Sequence, residues 1–180
     1  MPEWIPTRSS AKGRLVLTAL AHFAEVAYED VGVSDLAAAA GVTTGSLYHH
    51  FGSKLGLYDV ARTDVERRVL DRLQGAVAAR AGDAPGEAAN AALLVAFDFL
   101  VDQHVARLLA ETHPGRPSDP IESYIASVAD QRGLPIGSIL VAAWRAALRA
   151  VIDGVPTDLA RAALAAIHVM EPAAASRVRS

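Results

Sequence analysis

Within eight residues, Thr43-Thr44-Gly45-Ser46-Leu47-Tyr48-His49-His50, this 180-residue chain gathers three hydroxyls, a phenol and two imidazoles around one glycine. These groups can hydrogen-bond phosphate oxygens and the edges of bases, and the glycine lets a backbone come close to whatever the side chains touch. The same residue types could serve acid–base or nucleophilic chemistry. However, the chain shows no nucleophile–base constellation, no phosphate-binding loop and no spaced set of metal ligands. Recognition therefore fits this segment better than catalysis.

Two short helices joined at a glycine would present such a segment. Val33–Ala40 begins after Gly32, has Asp35 in its first turn and ends at Gly41, a residue suited to a left-handed C-terminal turn. Thr43 or Thr44 then caps a second helix running to about His50. There Leu47 and Phe51, four apart, face inward, leaving Thr44, Gly45, Ser46, Tyr48 and His49 outside. The pattern is a helix-turn-helix, whose second helix lies in the major groove of duplex DNA. If His49 or His50 faces phosphate, protonation adds positive charge, and affinity for DNA is expected to rise between about pH 8 and 6.

Apolar positions place further helices around this pair. Leu15, Val16, Ala19, Leu20, Phe23 and Ala27 predict a helix from about Ser10 to Tyr28. Ser53 caps a run through Leu57, Ala61, Val65, Val69, Leu73 and Val77 to about Arg80, roughly 40 Å of helix at 1.5 Å per residue. That is long enough to link two domains. After the turn-forming stretch at 81–86, helices are predicted at about Glu87–Thr112, Ile121–Arg132, Ile136–Asp153, and from a Thr157 cap to about Met170. Residues 1–9 read as a flexible arm and the tail after Pro172 as frayed. The fold class is all-α. A DNA-binding domain is expected over 1–52 and a second helical domain over 53–180.

At Phe23-Ala-Glu, Leu36-Ala-Ala-Ala-Ala-Gly-Val-Thr, Gly45-Ser-Leu-Tyr-His-His-Phe, Ser53-Lys54 and Leu57 the chain resembles the TetR (tetracycline repressor-like) family of bacterial regulators. The resemblance covers about residues 12–60. It implies a homodimer on a palindromic double-stranded DNA operator, in most cases a repressor, with 53–180 as the effector-binding and dimerisation domain whose small-molecule effector releases the DNA. It assigns DNA contacts to Thr43, Thr44, Gly45, Ser46, Tyr48, His49 and Lys54. The chain departs from the family pattern in several places. Thr44 stands where lysine is common, Val31-Gly32 replaces a threonine-rich entry, and Ala27, Gly13 and Leu55 are also atypical. Fewer phosphate contacts follow.

Composition sharpens these expectations. The net charge is −3, and residues 1–80 hold nine Lys/Arg against nine Asp/Glu, so phosphate contacts must come from locally placed groups. Without cysteine, disulfides and cysteine-based metal sites are excluded. No signal peptide and no membrane span is evident, which suits a soluble, intracellular protein. No cofactor is expected. Asp98, Asp102, His104, Glu111 and His113 lack ligand spacing and read as surface carboxylates with a partly buried histidine.

Phe97, Leu100, Val101 and His104, with Tyr124 and Trp144, are candidates to line the effector pocket, the plain alternative being core filling. Arg145 and Arg149 could attract an acidic effector, although a solvated helix face is the simpler expectation. Ala143, Ala146, Ala147, Ala150, Ala163 and Ile167, with neighbouring alanines, form small-residue faces suited to a dimer interface. His168 also reads as an interface residue. The competing function is a helical small-molecule-binding protein or enzyme with a vestigial DNA head, or a dimeric regulator acting through a protein partner.

Overall fold

In the computed structural model, residues 9–130 and 133–169 are described, and all regular structure among them is helical. The expected arm before Ser9 and the tail beyond Pro172 lie outside the described residues, whereas the helices expected to reach Arg132 and Met170 end at Ala129 and Ala165, each closed by its C-cap, Asp130 and Ala166.

Helix α1, Ala11–Glu25, starts at Ser10, whose hydroxyl accepts from the Gly13 amide at 3.0 Å. It stops short of the expected Tyr28, and Tyr28–Asp30 forms a 3₁₀ turn instead. The reason is aromatic packing: Tyr28 folds back to stack on Phe23 at 5.9 Å and to meet Tyr58 at 4.9 Å. Helices α2, Val33–Ala39, and α3, Thr44–Phe51, meet at Gly41, which takes φ +63°. A side chain is strained in that left-handed conformation, so glycine is the natural occupant. Thr43 caps α3 by accepting from Ser46 N at 3.2 Å.

Helix α4, Lys54–Ala78, buries Leu57, Ala61, Val65, Val69 and Leu73 along one stripe. The continuous helix expected over Glu87–Thr112 is in fact two. Helix α5 spans Pro85–Asp102 and α6 spans Ala106–Ala110. His104 adopts φ 55° between them, turning the chain so that Leu108 and Leu109 enter the core. Helix α7, Pro120–Ala129, is capped by Asp119. Helix α8 spans Ile136–Ile152 and ends near Gly154, which has φ 93°. Helix α9, Thr157–Ala165, starts one residue earlier than a Thr157 cap would give, because Pro156 holds the cap position.

One apolar core runs from Leu15 and Phe23 through α4 to Leu100, Trp144 and Leu164, so α4 is a shared wall between the N-terminal helices and the rest. No helix among the described residues is long and apolar enough to cross a membrane.

Candidate nucleic-acid interface

Helix α3 rests on Leu47, which is fully buried, and on Phe51, which packs against the core. Its other face is open. Thr43, Thr44, Gly45, Tyr48, His49 and His50 are exposed, Ser46 is half-buried, and Tyr48 keeps 52% of its surface. Six of the seven residues assigned to DNA thus share one unobstructed surface. A side chain the size of Tyr48 left half in solvent beside two exposed imidazoles has no packing role to explain it. The first turn of α3 adds free amides and the positive end of the helix dipole.

Lys54, the seventh residue, sits differently. Its ammonium lies 2.8 Å from Tyr28 O, 3.1 Å from Val31 O and 3.3 Å from Glu29 O, and 4.4 Å from the centre of the Tyr28 ring. Arg14 is likewise engaged at the far end of α2, donating through Nε to Ala40 O at 2.9 Å and through Nη1 to Ser9 O at 2.8 Å. Residues 1–52 carry three Lys/Arg against five Asp/Glu. The open face of α3 is therefore polar and nearly uncharged.

Residues 15–61 match the family model of bacterial regulatory proteins of the tetR family. The helix-turn-helix segment of this chain is thus similar to that of tetR-family regulators. Over 118 residues it is 30% identical to the HTH-type transcriptional repressor KstR2 of Mycobacterium tuberculosis, a match covering 65% of this chain and 58% of that relative's length. A tetR family transcription regulator from Shewanella sp. PV-4 shares the fold with a TM-score of 0.64 at 22% identity, covering 87% of this chain and 95% of the other. A TetR-like regulator from Rhodococcus sp. RHA1 aligns with a TM-score of 0.60 at 17% identity, over 89% and 96%.

The residues expected to line an effector pocket divide into three groups. Phe97, Leu100 and Trp144 are fully buried together in the core, and the Trp144 indole N–H has no acceptor. Val101 and Tyr124 are half-buried at its edge. His104 does not join them: it lies exposed at the break between α5 and α6.

The alanine faces converge. Ala143, Ala146, Ala147, Ala150, Ala163 and Ile167 all line one open apolar groove of about 360 Å³ between α8 and α9. Val155 and Leu159 on its rim are 40% and 59% exposed. The expected interface residue His168 is also exposed. No cluster able to hold a metal occurs among the described residues.

Arg145 corrects the expectation of a solvated helix face. It is buried, its Nε donates to Leu109 O at 3.3 Å, and its Nη2 pairs with Asp119. Arg149 donates to Ala110 O at 2.8 Å. Both hold down the end of α6.

A buried ionic network that motif reading missed joins these parts. Arg62, fully buried on α4, donates to Glu66 at 2.7 Å, to Tyr58 Oη at 3.1 Å and to Glu111 O at 2.9 Å. Its Nη2 lies 4.0 Å from the same Asp119 oxygen that Arg145 engages. Arg116, in the loop before α7, clasps Glu66, Asp59 and Thr63, each at 2.8 Å. His113 completes the set, with Nε2 2.6 Å from Asp59 and Nδ1 accepting from Gly115 N at 3.0 Å.

Burial pushes the Asp119 carboxyl up. The Glu122 amide and the Arg145 and Arg62 guanidiniums outweigh it and hold the group below the usual carboxylate range. Burial lowers the His113 pKa against the opposing pull of Asp59, and Arg116 and Arg62 lower it further. The one available clue in the sequence was the i, i+4 pair Arg62–Glu66 inside an otherwise apolar stripe.

Proposed function

We propose that the chain is a dimeric DNA-binding transcriptional regulator, a repressor that leaves a palindromic operator when a small molecule binds its C-terminal helices. The observation that carries this reading is the open face of α3: Thr43, Thr44, Gly45, Ser46, Tyr48 and His49 lie on one surface of a helix-turn-helix while Leu47 anchors it from beneath. A major groove admits one such helix, and glycine and serine at its start allow close approach to the bases.

The groove of Ala143, Ala146, Ala150 and Ala163 supports pairing of two copies through α8 and α9. Small residues allow close helix approach, and apolar side chains such as Leu159 gain from losing water. An effector held near Phe97, Leu100 and Trp144 could give the unpaired indole N–H an acceptor, relieving a cost of about 1–3 kcal/mol. It would also press on α8 beside Arg145. From there Asp119 and Arg62 lead to α4 and thus to the head, giving one route by which effector and DNA compete.

Mobility shift at low salt, with a duplex from upstream of the gene encoding this protein, tests the reading. A specific complex is expected, and Tyr48→Ala is expected to abolish it without altering the thermal midpoint. Absence of any shift across salt and pH would favour a ligand-binding protein with a vestigial head, consistent with the acidic balance of residues 1–52.

A further inference from the structure

Lys54 is the first residue of α4, and it joins three parts of the head. Its ammonium has three protons, and three carbonyls converge on it: Tyr28 O, Glu29 O and Val31 O, at 2.8, 3.3 and 3.1 Å. The Tyr28 ring covers it at 4.4 Å. A phosphate contact from this ammonium would therefore have to break one of these bonds. The segment it holds leads directly into α2, whose N-cap, Gly32, supplies no side-chain hydrogen bond. The amino acid next to that cap, Val31, is one of the three tethered residues.

On its other side the start of α4 is locked to α3. Gly52 turns the chain at φ 73°, and Ser53 accepts from Gly56 N at 2.9 Å. The first turn of α4 also packs so closely on the end of α3 that a Cβ on Gly56 would stand 2.1 Å from Phe51 O. The entry to α2 and the end of α3 are thus both referred to the first turn of α4, one through Lys54 and the other through this junction.

We infer that Lys54 is a positioning residue for DNA recognition rather than a phosphate ligand: it fixes the entry of α2 to the start of α4 and so sets the tilt of α3. This rests on the regulator reading above. The two roles predict opposite behaviour. Losing a phosphate contact weakens all duplexes alike and makes the salt dependence shallower by about one unit of slope. Losing a positioning bond spares the electrostatic attraction but spoils the fit to one sequence.

The experiment titrates wild type, Lys54→Met and Lys54→Arg against the upstream duplex and a scrambled duplex of equal length, from low to moderate salt. Hydrogen exchange on each free protein accompanies it. Methionine keeps the stem and removes the donors. Arginine keeps the charge, but its planar fork does not match three converging carbonyls.

Positioning predicts that both variants lose about fivefold or more in affinity for the upstream duplex. It also predicts unchanged affinity for the scrambled duplex, an unchanged salt slope, and faster exchange confined to the 27–36 segment. Equal losses on both duplexes with a shallower slope for Lys54→Met, restored by Lys54→Arg, would overturn the inference in favour of a phosphate ligand. Lost protection throughout α1–α3 in both variants would overturn it in favour of plain stabilisation of the head. If wild type binds neither duplex, the regulator reading falls, and exchange alone judges the tether: faster in 27–36 supports it, unchanged refutes it.

Discussion

His113 shows how one side chain can tie the chemistry of a loop to pH. Its Nδ1 accepts from Gly115 N at 3.0 Å, which requires that nitrogen to be unprotonated, and its side chain is only 5% exposed. The folded pKa is lowered, chiefly by burial, so the unfolded chain takes up a proton first as pH falls. The neutral form's contribution is therefore complete above the ordinary value of 6.5 and is lost as pH drops through it toward the lower folded value. The thermal midpoint of wild type is expected to decline from pH 7.5 to 5.5, and His113→Gln to flatten that decline. Equal slopes would show that His113 does not set the acid limit. Asp119 acts further down the scale with the same sign: its lowered pKa means its stabilisation is lost only in stronger acid.

Residue identity was legible where local chemistry decided it. Thr43, Gly41 and Ser53 act as caps and turns, and the open set on α3 follows from helical spacing alone. Lys54 and Arg145 were not legible, because the carbonyls and carboxylate they serve come from residues 23 to 36 positions away in the chain. Nothing in a single sequence distinguishes a lysine facing phosphate from one facing three distant carbonyls.

At the scale of elements, α4 is the common partner. Its first turn meets the α2 entry and the end of α3. Its middle, through Tyr58, Arg62 and Glu66, meets His113 and Arg116 in the loop that leads to Asp119 and α7. The crossing of α7 and α8 is set by a close approach. A Cβ on Gly137 would stand 2.4 Å from Ala126 Cα, and Gly137 N donates to Asp130 at 2.7 Å. Gly137→Ala must push backbone from backbone, because no flexible side chain is there to yield. A loss of about 1–3 kcal/mol is expected, measured by urea unfolding. A stable Gly137→Ala protein would mean that the two helices can slide freely.

Helix existence was readable from apolar spacing at this scale, but two ends were not. The stripe through Leu93, Phe97 and Leu100 continues in pattern past Asp102, and only the left-handed His104 ends it. Tyr28 extends the α1 pattern yet leaves the helix, because the Phe23 and Tyr58 rings offer a better contact. In both cases tertiary packing overrides a local preference.

For the whole molecule, the proposed function requires two heads to reach one operator. The head offers few cations, and with Arg14 and Lys54 engaged on carbonyls each copy brings little electrostatic attraction. Two copies joined through the α8–α9 groove would present two recognition helices at once, which raises affinity without adding charge. Ala146 is exposed in that groove, so Ala146→Glu places a carboxylate there without entering either protomer's core. The variant is expected to fold normally, to be monomeric, and to lose sequence-specific binding while α3 stays intact.

Sedimentation of the protein with and without the upstream duplex, for wild type and Ala146→Glu, tests the central claim most directly. The account predicts a wild-type dimer that binds the duplex as a dimer or a pair of dimers, and a monomeric Ala146→Glu that does not retain it at the same concentration. A wild-type monomer binding one duplex with full specificity, or an Ala146→Glu monomer binding as tightly as wild type, would contradict it.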